Sequence, residues 1–171
     1  MMSRSSSIAE REEKRQDHET TEATERDRFI YAIGPLSSRP EQIAVLQKVI
    51  GLKLREIAFA AGVSRETARL WRRTDNGDRP DGYEDLRAVA ERLLRGRSLN
   101  PILIGAWFRS RNRGLGYRRP LEAIRAGAFE EVIEVAESFI ALSAAAPGHA
   151  RSGEEAAVLE KHDVVKAVTQ S

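Results

Sequence analysis

The stretch AFEEVIEVAESFIAL, residues 128 to 142, limits the fold more than any other part of the chain. Phe129, Val132, Ile133, Ala136, Phe139 and Ile140 recur at the period of an α-helix, and the glutamates between them fall on the opposite face. No segment of useful length alternates apolar and polar residues as a half-buried strand must. The expected fold is therefore all-α, each helix burying one stripe against its neighbours. SSRPEQIAVLQKVIG reads as one helix, with Ser38 as N-cap, Pro40 in the first turn, Glu41 three residues after the cap and Gly51 at the end. Ile43, Leu46 and Ile50 form its stripe. YEDLRAVAERLLRG is amphipathic through Leu86, Val89, Leu93 and Leu94 and closes at Gly96. NPILIGAWF opens with Asn100 and Pro101 as cap and first turn, and a further helix begins at Pro120.

Composition narrows the chemistry. There is no cysteine, which excludes disulfides, thiol nucleophiles and cysteine metal sites and implies no oxidising compartment. The N-terminal MMSRSSSIAEREEKRQ lacks the apolar core of a signal peptide, and the apolar runs are too short to span a bilayer. A cytoplasmic protein without membrane contact is expected. His18, His149 and His162 fall in expected tails, and the ordered region carries no paired carboxylates, phosphate loop or nucleophile motif. The chain is thus expected not to be an enzyme and to need no metal or cofactor. Its charge is uneven: residues 51–125 hold seventeen Arg or Lys against nine Asp or Glu, a net +8, whereas residues 126–171 hold three against eight, a net −5. A basic middle suits an anionic partner such as a phosphate backbone.

Within that middle, LREIAFAAGVSRETARLWRR reads as two short helices with a turn at Gly62. Ala58 is small where two helices cross closely, Gly62 supplies a turn with positive φ, and Val63 fills the angle between the helices. Ile57, Ala68 and Trp71 complete the buried face, and Ser64 caps the second helix. With Ala68 and Trp71 inward, the helical period leaves Arg65, Glu66, Arg69, Arg72 and Arg73 outward or on the rim. Over its twenty residues the stretch resembles the helix-turn-helix of Xre/Cro-type DNA-binding proteins. The resemblance implies that the second helix reads double-stranded operator DNA, so Ser64, Arg65, Glu66, Thr67, Arg69, Arg72 and Arg73 are the expected DNA-binding residues. Arg65 and Arg69 have the reach to hold O6 and N7 of a guanine, and Glu66 suits a cytosine amine. Arg72 and Arg73 suit phosphate.

A second resemblance lies in LIGAWFRSRNRGLGYRRPLEAIRAGAFEEVIEVAESF. Trp107, the loop residue Asn112, Leu115 with Gly116, Pro120 with Leu121, and Gly127 ahead of Val132 resemble the toxin-binding domain of Xre/MbcA/ParS-type antitoxins. Together the two resemblances cover about residues 40 to 142, in the family's own order. They imply a type II antitoxin, a homodimer whose first module binds its operator and represses its operon. Its second module would bind and neutralise a RES-type toxin, which consumes NAD or modifies proteins with it. Trp107, Leu115, Leu121, Ile124 and Phe129 are expected to fill a small core, with Gly116 and Gly127 at turns.

The loop RSRNRGLGYRRP departs from the family pattern in its five arginines, Arg109, Arg111, Arg113, Arg118 and Arg119. They are either a toxin-facing or solvated surface, or a second grip on DNA. The second choice fits a stand-alone transcriptional regulator or a phage-type immunity repressor without a toxin partner. The resulting organisation has a disordered charged tail at 1–28, a helix-turn-helix DNA-binding module at 29–80 and a connecting helix at 81–98. A small helical toxin-binding-like domain follows at 99–143, then a flexible tail at 144–171 with a weakly amphipathic segment fit for a short helix.

Overall fold

The capping residues read from the sequence start helices in the computed structural model. The Glu41 carboxylate accepts from the Ser38 N–H at 3.0 Å and from its hydroxyl at 2.7 Å, and Asn100 Oδ1 accepts from the Ile102 N–H at 2.9 Å. The structure describes residues 21, 24–96 and 99–145, and among them every regular element is helical. In order these are α1 (24–33), α2 (Arg39–Ala44) running into a π-helical turn (Val45–Val49), α3 (Leu54–Ala61), α4 (Arg65–Trp71) and α5 (Asp81–Arg95). Then come α6 (Pro101–Arg109), a 3-10 turn (Arg113–Leu115), α7 (Pro120–Arg125) and α8 (Phe129–Ala145).

Two expectations need correction here. Residues 24–28, assigned above to a disordered tail, are helical. The Arg26 guanidinium crosses to the end of α5 and donates to the carbonyls of Leu94 at 2.8 Å, of Gly96 at 3.0 Å and of Leu99, meeting acceptors that a helix C-terminus leaves open. Residue 21 is helical too, and Ala144 and Ala145, assigned to the second tail, are the last residues of α8; the rest of both expected tails, including His18, His149 and His162, lies outside the described residues. Second, α5 is no mere connector. Tyr83, Leu86, Val89, Ala90, Leu93 and Leu94 are all buried, and α5 packs on α3, α6, α7 and α8. Its apolar stripe is wide enough to be covered from two sides.

In consequence one core runs through the described chain. Ile43 and Leu46 of the first helices, Ile57 and Trp71 of the helix-turn-helix, and Ile104, Phe108, Ile124 and Val132 of the last helices all belong to it. Trp107, Leu115 and Leu121 are buried as expected but join this core instead of a small one of their own, and Phe129 sits half-buried at its margin.

A polar clasp seats α6 on α3. Arg109 Nε and Nη2 donate to the Glu56 carboxylate at 2.9 and 3.1 Å, and the same guanidinium reaches the carbonyls of Gly105 and Gly51. Burial pushes the Glu56 carboxyl up, but the bonds from Arg109 and from the Lys53 N–H outweigh it and hold the group below its ordinary value of 4.5. A depressed folded value contributes stability that is present above the unfolded pKa and lost as pH falls through the folded one. Glu56→Gln is therefore expected to destabilise the protein by about 1 kcal/mol at neutral pH. The difference in Tm from the parent should close as the pH drops below about 4.5, and a gap that persists undiminished in acid would contradict the clasp.

Candidate nucleic-acid interface

α3 ends at Gly62 with φ 76° and ψ 23°, the left-handed conformation that stops a helix. The Gly62 N–H donates to the Phe59 carbonyl at 3.1 Å and the Val63 N–H to the Ala58 carbonyl at 3.0 Å, so the chain reverses within two residues. Ser64 then caps α4, its hydroxyl accepting from the Thr67 N–H at 3.0 Å. Ile57, Ala58, Ala68 and Trp71 are buried and Val63 is half-buried, which leaves the far side of α4 to solvent. On that side Arg65, Glu66, Arg69, Arg72 and Arg73 are exposed, with Thr67 half-buried beside Ser64.

The electrostatics of this face are cationic. Arg69 donates to Glu66 at 3.0 Å, but the two side chains are 58% and 78% exposed, so the pair is weak and opens at little cost. Arg65, Arg72 and Arg73 have no carboxylate partner among the described residues. Arg69, Arg72 and Arg73 surround a hollow of about 210 Å³, into which guanidinium forks can present donors to an anion. Leu70, not singled out from the sequence, is 55% exposed on the same helix and offers an apolar surface of the kind that meets a thymine methyl. Its only sequence signal is an apolar residue on an otherwise charged face.

The five loop arginines do not act alike. Arg109 is engaged in the clasp to Glu56. Arg118 donates to the Leu115 carbonyl at 3.0 Å and to Glu131 at 2.8 Å, which ties the loop to α8. Arg119 lies 3.8 Å from Glu122, while Arg111 and Arg113 are exposed without an ion pair among the described residues. The expected cluster of five thus contains two internal braces, because carboxylates distant in sequence lie beside them. The loop itself is shaped by Asn112, whose Oδ1 accepts from the Gly114 N–H at 2.8 Å and whose carbonyl accepts from the Tyr117 N–H at 2.8 Å. Gly116 and Tyr117 both have φ 63°, and Tyr117 is the one non-glycine with positive φ among the described residues. Pro120 starts α7, with Glu122 bonded back to the Arg119 N–H at 2.9 Å.

Between α3 and α7 runs a groove of about 420 Å³ lined by Arg55, Phe59, Arg109, Arg119 and Leu121 with two glutamates. Over 94 residues, 54% of this chain and 80% of the relative, the chain is 34% identical to a protein of Mycobacterium tuberculosis (strain H37Rv) named a probable mycobacterial cidal antitoxin. The chain belongs to the mycobacterial cidal antitoxin family. No family model and no solved structure matches it.

For this antitoxin-family chain, the residues that the sequence did not single out include those that brace the candidate interface from behind. Arg39, Glu56 and Arg125 belong to no charge pattern that marks them in the sequence, yet each bonds across the fold. Arg125 donates to the Phe59 carbonyl at 3.4 Å and lies where a side chain on Gly62 would have to go, so α7 touches the turn between α3 and α4. Among the described residues there is no cluster of potential metal ligands, and no helix is long and apolar enough to cross a membrane.

Proposed function

We propose that this antitoxin-family protein binds double-stranded operator DNA through α4, represses its own operon, and neutralises a RES-type toxin through its second half. The observation that carries the DNA reading is the outward row of Arg65, Arg69, Arg72 and Arg73 over buried Ala68 and Trp71. A helix used for packing alone has no need of such a face. In the major groove, Arg69 and Glu66 exchange their mutual ion pair for base edges, while Arg72 and Arg73 meet phosphate. A homodimer presents two copies of α4 to half-sites about 34 Å apart. On this reading the protein acts by binding, in the cytoplasm, with no catalysis, metal or cofactor.

The toxin half draws on family membership and on the expected partner domain, and its test is co-expression with the neighbouring toxin reading frame. A stable complex is expected; two species that elute separately reject this half. For the DNA half, Arg69→Ala should weaken binding to the operator by about 1–3 kcal/mol and relax selectivity at one base pair, with Tm unchanged. Discrimination that survives the substitution places α4 in a different register. The rival reading, a stand-alone regulator with a second DNA contact, now rests on Arg111, Arg113 and Arg119, since Arg109 and Arg118 hold internal partners.

A further inference from the structure

We propose that Arg39 and Asp75 form a clamp that positions the phosphate-contacting end of α4, an inference that rests on the DNA reading above. Arg39 is fully buried, and no carboxylate meets its guanidinium. Its donors go instead to the carbonyls of Asn76 at 3.2 Å and Gly77 at 2.8 Å, and its Nε has no partner. The planar group lies over the Trp71 ring at 4.9 Å and near the Tyr83 ring at 5.9 Å. A buried cation served only by carbonyls and ring faces is an expensive way to fill space, which an aliphatic side chain fills at lower cost.

What the arrangement does is grip the chain on both sides of Arg72 and Arg73. On one side is Trp71, the last residue of α4, packed in a three-way cluster with Arg39 and Tyr83, the Trp71 and Tyr83 rings 5.0 Å apart. Tyr83 is itself fixed, donating to Gln42 Oε1 at 2.9 Å, and Gln42 donates to the carbonyls of Gly34 and Ser37. On the other side is the 75–77 segment. There the Arg39 side chain holds two carbonyls, and Asp75 Oδ1 accepts from the Arg39 N–H at 2.9 Å and from Arg79 at 3.0 Å. The Arg39 N–H bond, together with Arg79, keeps the Asp75 carboxyl below its ordinary range and so ionised. Arg72 and Arg73 hang between these two anchors, and Arg39 is a positioning residue for them.

Asp75 makes the inference testable, because a clamp and simple electrostatics predict opposite signs. Asp75 is an exposed negative charge close in sequence to phosphate-facing arginines, so its removal alone tightens DNA binding. The full-length protein would be titrated by fluorescence anisotropy against a labelled duplex of about 30 base pairs that it has itself selected from a randomised pool. Asp75→Asn keeps the acceptor for the Arg39 N–H and loses the charge, and should bind about twofold tighter. Asp75→Ala loses both and should bind at least about threefold weaker, with Tm little changed. Arg39→Lys retains the charge but cannot bridge two carbonyls, and should bind about tenfold weaker. Combined with Arg72→Gln and Arg73→Gln it should add less than its own separate effect, since it acts through those residues. If Asp75→Ala tightens binding as Asp75→Asn does, or if the combined effects are additive, the clamp is overturned. Should Arg39→Lys fail to fold, the two variants at exposed Asp75 still decide. A parent protein that selects no duplex overturns the DNA reading itself and the clamp with it, an outcome distinct from the others.

Discussion

Gly105→Ala is expected to destabilise the protein by about 2 kcal/mol or more, although alanine normally gains about 1 kcal/mol over glycine inside a helix. The reason is the closeness of α6 to the chain that leaves α2. A Cβ on Gly105 would press into the Ile50 carbonyl oxygen far inside van der Waals contact, with Arg109 Nη1 only 3.3 Å away. The obstructing atom is backbone and cannot swing aside, so α6 must move as a unit. That movement pulls Arg109 away from Glu56 and from the Gly51 carbonyl, adding the broken clasp to the steric strain. Urea unfolding of the variant beside the parent measures the difference, and a stabilised variant would refute the close approach.

The second large effect concerns salt. Arg72→Gln with Arg73→Gln should reduce the slope of log K against log salt by nearly two, at about 0.9 for each phosphate no longer neutralised. Affinity near 0.1 M salt should fall by about tenfold or more. Both side chains are exposed and have no ion pair among the described residues, so Tm should stay within about 1 °C. The companion protein Arg111→Gln, Arg113→Gln, Arg119→Gln separates the two readings of the loop. An unchanged slope keeps the loop off DNA, as the antitoxin reading expects, whereas a slope reduced by nearly three makes it a second DNA contact. Replacement of Arg109 or Arg118 is no part of this test, since either change would remove a brace of the fold.

What could be read in the sequence was what acts over short distances. The α8 stripe, the cap at Ser64 and the turn at Gly62 depend on residues within one or two turns, and each stands where the pattern puts it. The helix expected to run from Ser38 to Gly51 shows the limit of this. Near Val45 it widens into a π-helical turn, the Ile50 N–H donating to the Val45 carbonyl at 3.1 Å and the Leu52 N–H to the Leu46 carbonyl at 2.8 Å. Ile50 is buried as the stripe expects, but Leu52, beyond the expected end at Gly51, is buried as well, which a stripe of fixed period does not anticipate. Family membership followed from the same local patterns, because they carry the resemblance. The braces did not, for Glu56 and Arg109 stand 53 residues apart, and a lone Arg39 at a helix start looks like any solvated charge until its neighbours are folded around it. The same holds for α5, whose pattern shows that it is amphipathic but not that helices cover it on both sides.

The contact of Arg125 with the turn at Gly62 has an evolutionary consequence. A DNA-reading head and a partner-binding tail joined by a free linker can be shuffled between proteins as separate cassettes, and operator choice then changes independently of partner choice. Here the head and the rest share α5 and touch through α7, so a crossover in the loop before α5 would join two halves whose mating faces had never met. On the proposed DNA reading, new operator preferences in this lineage should therefore arise by point changes on the exposed face of α4, which leave the seam untouched, and inheritance of the two halves should be linked.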